Sequence, residues 1–309
     1  MSIDIIVSEV GPRDGLQSID QVMPTAAKKQ WIQSQFEAGT REIEVGSFVP
    51  PKLLPQMADS AEITAFACSI EGLDVAVLVP NRKGLENALA AGPPDKISIP
   101  LSMSESHSIR NVRKTHAQML EEIARCLELL QTFAPENRPH FEVGLATAFG
   151  CTIEGRVPED RVIRMAEKLA EMGVDEVGLS DTTGYGNPVQ LKRLAKGIWS
   201  AIGRERLNGV HLHNTRGQGL ANAVTAVELG FTTIDSSLGG IGGCPYAPGA
   251  SGNIVTEDLV FLLEAMGLRT GIDLEKLLEV RQQVQDALPE TPLYGFIPDA
   301  GLPRTDPAR

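Results

Sequence analysis

Short apolar runs rich in β-branched residues alternate along the chain with longer stretches whose apolar residues recur every three or four positions. The runs predict strands over Asp4–Ser8, Glu42–Val45, Asp74–Val79, Lys96–Pro100, Phe141–Thr147, Glu176–Leu179, Val210–His213 and Thr233–Ser236. Helical spacing covers Thr25–Glu37, Arg82–Ala90, Val112–Thr132, Pro158–Glu171 and Gly219–Leu229. In the fourth of these, Ile163, Ala166, Leu169 and Ala170 form one stripe after a Pro158-Glu159-Asp160 start. Gly39, Gly173 and Gly230 each follow a helical stretch just before a strand, the place for a left-handed C-cap. Such repeats, with nearly continuous apolar strands, imply a parallel sheet covered on both faces. Eight strands close into a (β/α)₈ TIM barrel; the competing architecture is a doubly wound open sheet. After Val255–Met266, one more helix (Asp273–Asp286) and a Pro-rich tail predict a short C-terminal helical extension. The expected organisation is a single domain over 1–309, the barrel about 1–270 and the extension about 271–309.

Composition narrows the function. A chain of 309 residues, 42% hydrophobic and 22% charged, holds a core without disulfides. Its four cysteines (Cys68, Cys126, Cys151, Cys244) show no zinc-like spacing and read as free thiols. A formal charge of −12 argues against nucleic acid as a partner. It also means that an anionic ligand needs a local basic patch working against the global charge. No apolar run approaches the ~20 residues that span a bilayer, and Met1-Ser2-Ile3-Asp4 begins no leader pattern, so a cytoplasmic, soluble protein is expected. A homodimer is the commonest closed assembly.

The unusual polar residues fall at strand ends. Arg13 and Asp14 follow the first strand, Glu44 interrupts the second, Asp181 follows the sixth, and His211 and His213 occupy the seventh. A glycine-rich stretch carrying Cys244 and Asn253 follows the eighth. In a barrel most of these groups meet at the C-terminal rim, where active sites are built, with Glu44 slightly deeper. His211 and His213 share a face, and a divalent metal is what two buried imidazoles would share. With Asp14 and Asn253 they make a mixed O/N set suited to Mg²⁺ or Mn²⁺. Glu44 is costly inside a strand unless partnered or functional. The stretch Gly239–Asn253 fits no phosphate-loop pattern, and a lid presenting Cys244 as a proton donor suits it better. Lys96 begins its strand, at the wrong end for a Schiff base. Met57, Met103, Met119, Trp31 and Trp199 read as packing residues.

The segments Val10-Gly11-Pro12-Arg13-Asp14-Gly15-Leu16-Gln17, Ile43-Glu44 with Ser47-Phe48, and Gly242–Asn253 resemble the 3-hydroxy-3-methylglutaryl-CoA lyase family of metal-dependent barrels. The likeness runs from about Ile5 to Leu263, and the cysteine loop is specific to the lyase branch. It implies cleavage of an acyl-CoA thioester to acetyl-CoA and a keto acid, in leucine breakdown. It also implies that Asp14, His211, His213 and Asn253 hold the metal, that Arg13 stabilises the departing enolate and that Cys244 protonates it. Glu44 and Asp181 match active-site acids and Ser47 an active-site serine; the base stays open among His211, Asp181 and Glu44.

The chain departs from that pattern in His211-Leu212-His213-Asn214-Thr215-Arg216, where Asp and Tyr are expected at 214 and 216, in Gly46, and in Cys151-Thr152-Ile153-Glu154. Arg216 is therefore a candidate contact for a substrate carboxylate or a CoA phosphate. Rival readings are a lyase for citramalyl-CoA or an isoprenoid-extended glutaryl-CoA, a Claisen-type synthase, and a non-catalytic CoA-ester binder.

Overall fold

A computed structural model describes residues 3–242 and 252–303. Eight strands, β1 (Ile6–Glu9), β2 (Glu42–Ser47), β3 (Asp74–Leu78), β4 (Lys96–Ser102), β5 (His140–Ala146), β6 (Glu176–Ser180), β7 (Gly209–His211) and β8 (Thr233–Ser236), form a closed parallel barrel in sequence order. Closure comes from β1 pairing with β8 from Ile6–Thr233 to Glu9–Ser236. Around it run α1 (Thr25–Glu37), α2 (Ser60–Ala67), α3 (Arg82–Ala91), α4 (Glu105–Val112), α5 (His116–Leu130), α6 (Glu159–Met172), α7 (Pro188–Ile202) and α8 (Gly219–Leu229). Then follow α9 (Thr256–Ala265), α10 (Leu274–Ala287) and the single turn α11 (Ile297–Ala300). All eight expected strands are present, and Gly173 and Gly230 end α6 and α8 in the left-handed conformation.

Two expectations need correction. The helix expected over Val112–Thr132 begins later, at His116, and a separate helix that ends at Val112 precedes it. Arg113 turns left-handed (φ 57°) after α4, and Thr115 with Gln118 forms a capping box that starts α5 afresh. The strands are also less continuously apolar than expected. In β5, Phe141, Val143 and Leu145 are fully buried, while Glu142, Gly144 and Ala146 line the lumen. Period-two alternation thus sends large side chains out to the helices and small or polar ones inward. A barrel lumen is ordinarily filled by branched side chains. Here Gly144, Gly178 and Gly209 leave it partly hollow, as a cavity of about 540 Å³ open at the C-terminal face.

The C-terminal extension packs back on the barrel. Leu277, Val280 and Val284 of α10 join the same buried core. Beyond it, the Tyr294 amide donates to the Gly239 carbonyl (2.7 Å), and Arg281 bridges the Glu257 carboxylate and the Tyr294 carbonyl. The tail so braces the start of the loop that follows β8. Trp31, Met57, Met103 and Met119 are buried in the core, as expected of packing residues, and Trp199 packs against its edge.

Candidate active site

The first piece of the site is a tight turn. After β1 the amides of Arg13, Asp14 and Gly15 all donate to the Val10 carbonyl, winding Gly11–Gly15 into one π-helical turn. Such turns are uncommon and frequently mark functional sites. This one aims both charged side chains into the lumen. The Arg13 guanidinium lies against Glu44 through Nε and Nη2, and its Nη1 donates to Asp14 Oδ1 at 2.7 Å. Ser98 Oγ donates to the other Glu44 oxygen at 2.9 Å. Buried among these partners, Arg13 keeps its charge on a fixed plane.

Opposite stand the histidines. β7 ends at His211, and His213 lies just past it, where it forms an antiparallel bridge with Asn253. The two imidazoles face each other with Nε2 atoms 3.1 Å apart, and His211 Nε2 is 4.0 Å from Asp14 Oδ2. Asp235 sits 3.0 Å from His211 Nδ1. With Nδ1 donating to that carboxylate, Nε2 is left as a bare acceptor. Asn253 donates through Nδ2 to Asp14 Oδ2 (2.8 Å), and its Oδ1 is buried without a hydrogen-bond partner. Gly242 permits this closeness: at φ 115° a Cβ there would come within 2.4 Å of Asn253 Nδ2.

These atoms pass the test for a cation. Asp14, His211 and His213 converge within 4.8 Å of one another, and the orphaned Asn253 oxygen adds a neutral donor. The two Nε2 atoms face each other across 3.1 Å, close enough to share one proton or to turn together to one cation. Burial works to raise the Asp14 carboxyl, but Arg13 and the histidines overcome it and hold the group at about 2. Burial, reinforced by His211, lowers His213 to about 3. The centre therefore presents an ionised carboxylate and, at His213, a neutral imidazole, both suited to metal binding, while at His211 burial is outweighed by the Asp235 carboxylate, which raises the proton affinity.

The remaining sequence candidates lie elsewhere. Asp181 is fully buried, and its two oxygens accept from the amides of Tyr185 and Gly186 (2.9 Å each). It thus caps the loop after β6 and is not among the described residues lining the cavity. Burial outweighs those amides and pushes it up to about 6. Ser47 is buried at the end of β2, where Ser60 bonds its backbone, and it too stays off the cavity wall. Arg216 donates to the carbonyls of Thr183 and Gly184 and lies over the Tyr185 ring, 4.4 Å from its centroid. It fastens one rim loop to another. Lys96 does reach the lumen, but at its N-terminal end, paired with Glu142 at 2.9 Å. Cys244 falls outside the described residues. Of the other cysteines, Cys126 and Cys151 are buried free thiols, and burial pushes Cys126 up to about 12.

Asp235, Ser98 and Gln17, whose amide donates to Asp14 Oδ1 at 2.8 Å, complete the site without having been singled out from the sequence. For Asp235 a signal was available: a carboxylate interrupting an apolar strand, the same feature that marks Glu44.

Fold and centre together define a barrel with a pocket that sets a candidate cation site beside an arginine–carboxylate pair. The HMGL-like family model matches residues 4–284, and the chain belongs to that family. It is 38% identical to the hydroxymethylglutaryl-CoA lyase YngG of Bacillus subtilis over 92% of this chain and 93% of that one. To the mitochondrial hydroxymethylglutaryl-CoA lyase of Mus musculus it is 39% identical over 91% of this chain and 85% of that one. An HMG-CoA lyase from Acinetobacter baumannii, solved with coenzyme A and 3-methylmalate, superposes with a TM-score of 0.89 at 38% identity, covering 96% and 95% of the two chains.

Proposed function

We propose that this chain is a carbon–carbon lyase that cleaves 3-hydroxy-3-methylglutaryl-CoA to acetyl-CoA and acetoacetate. The observation that carries the reading is the meeting of Asp14, His211, His213 and Asn253 beside the Arg13–Glu44 pair, in a family whose relatives bear that activity in their names. Two of the departures from the family pattern, at 214 and 216, are taken up by the scaffold. Asn214 accepts from the Gly219 amide at the start of α8 (3.0 Å), and Arg216 binds loop carbonyls. Neither lines the cavity, so neither favours another acyl group.

Mg²⁺ or Mn²⁺ held by the four ligands would supply Lewis acidity, lowering the pKa of the substrate's 3-hydroxyl and polarising the ketone that forms. The chain's own groups do the rest. His211 Nε2 is committed to the ligand set, with Asp235 behind it, and Asp181 is turned to backbone amides. Glu44 is the candidate base left on the cavity wall. Burial raises its proton affinity even against the pull of Arg13, which suits a carboxylate that must take a proton. As Glu44 accepts the hydroxyl proton, the bond between C2 and C3 breaks and its electron pair moves onto the thioester as an enolate. Arg13, still held by the Asp14 carboxylate after Glu44 is protonated, offers positive charge to the enolate oxygen. The Cys244 thiol then gives its proton to C2, completing acetyl-CoA.

The deciding measurement is acetoacetate release from 3-hydroxy-3-methylglutaryl-CoA with and without Mg²⁺ or Mn²⁺, beside Cys244→Ala. Metal-dependent turnover that collapses in the variant is expected. Metal binding without turnover would overturn the substrate assignment. The same reading carries a cytoplasmic homodimer serving leucine degradation; among the described residues no helix is long and apolar enough to cross a membrane.

A further inference from the structure

A chain of net charge −12 that takes a CoA thioester needs local positive charge where the ligand's phosphates rest. The metal centre cannot provide it, because the reacting acyl group must sit there and the nucleotide lies at the other end of a long flexible arm. The cavity leads from His211 and Asp14 out to a mouth formed by the loop after β2 on one side and α4 on the other. Val49, Leu53, Leu54 and Pro80 make the first wall apolar, and Leu53 is 64% exposed. The facing wall carries Arg110 and Arg113.

These two arginines differ from most others in the chain. Arg82, Arg125, Arg138, Arg161, Arg164, Arg193, Arg269 and Arg281 are all spent on carboxylates. Arg110 and Arg113 are exposed and have no ion pair among the described residues. Arg113 is also one of two described non-glycine residues with positive φ, adopted where α4 breaks off before α5. A side chain in the left-handed region costs energy that an uninterrupted helix would avoid. Both side chains line the same mouth.

We propose that Arg110 and Arg113 form a phosphate clamp for the nucleotide end of the CoA ligand, with the apolar wall at Leu53 lying along the pantetheine arm. The assignment rests on the ligand being a CoA thioester. Guanidinium groups are suited to the task, since each presents a planar fork of donors that matches phosphate oxygens. The clamp makes the enzyme select CoA over shorter thiols through charge located away from the reacting atoms.

The test is calorimetric titration of free CoA, dephospho-CoA and pantetheine into the metal-loaded enzyme and its Arg110→Ala/Arg113→Ala variant. The wild type should prefer CoA to pantetheine. The double variant should bind CoA roughly tenfold to a hundredfold more weakly while its pantetheine affinity hardly moves. In turnover the loss should fall on KM, and Arg110→Lys/Arg113→Lys should recover part of it. Arg164→Ala, an exposed arginine on α6, should leave CoA affinity unchanged. Should the double variant fold poorly, added salt must weaken CoA binding to the wild type much more than pantetheine binding. Equal CoA affinity in wild type and variant, or a wild type indifferent to the nucleotide, would overturn the clamp. Arginine-dependent CoA binding without acetoacetate release would keep the clamp and refute the proposed substrate. Acetoacetate release with an unchanged KM in the variant would do the reverse.

Discussion

The two ends of the barrel lumen are both charged, yet they are built on opposite principles. At the N-terminal end Lys96 lies 2.9 Å from Glu142 and 3.7 Å from Glu42, and Glu176 pairs with His140 at 3.0 Å while accepting from the Asn208 amide. Gly178 makes room for this arrangement, since a Cβ there would come within 2.2 Å of a Glu142 oxygen. Each charge in that layer is answered by another protein group. At the C-terminal end Asn253 Oδ1 has no partner, and two imidazole nitrogens face each other at 3.1 Å. Buried polar groups are ordinarily satisfied. A completed network serves the scaffold; one left incomplete in such convergent geometry is waiting for a ligand.

That contrast can be broken from either end, and the largest effect belongs to the upper layer. Asp14→Ala should abolish measurable divalent-ion binding by calorimetry and lower kcat/KM by roughly a thousandfold or more, with little change in unfolding midpoint. A variant that still binds the ion tightly would remove Asp14 from the ligand set. Lys96→Met should do the opposite. It strands Glu142 and Glu42 in the lumen, at a cost of about 3 kcal/mol in denaturant unfolding, and leaves ion affinity near its wild-type value.

A smaller effect is expected from Asp235→Asn, which keeps the shape but weakens the support behind His211. Ion affinity should fall about tenfold to a hundredfold. An unaltered affinity would show that Asp235 does not set the orientation of that ring. The smallest effect concerns pH. Burial, against the pull of Lys96, pushes Glu142 up to about 7 from 4.5. An acid whose folded pKa is raised favours the folded state most below its unfolded value and loses that contribution as pH rises through the folded one. Stability should therefore decline between about pH 4.5 and 7, and Glu142→Gln should flatten that slope by on the order of 1 kcal/mol per pH unit. Identical slopes in the two proteins would show that Glu142 is not the group responsible.

Much of the architecture was legible in the chain. Strands of three to seven residues with outward-facing Val, Ile, Leu and Phe, separated by amphipathic stretches ending in glycine, carry their own period, and eight of them specify a closed barrel. The start of α5 at His116, four residues later than expected, was not legible as apolar periodicity; its sign was the Thr115–Gln118 capping box. Of the site residues, Arg13, Asp14, Glu44, His211, His213 and Asn253 do converge. Each is a polar group at or in a strand end, and a barrel brings strand ends together. Asp181 and Arg216 satisfy the same rule in sequence yet turn to backbone partners on their own rim.

Sequence by itself therefore determined the elements, their order and the set of groups delivered to one face, since those depend on local periodicity and on closure. Only the tertiary structure decided which groups are already satisfied and which are not. Hydrogen-bond completion depends on neighbours distant in the chain, as when Asn253 meets Asp14 across 239 positions, and no local pattern encodes that distance.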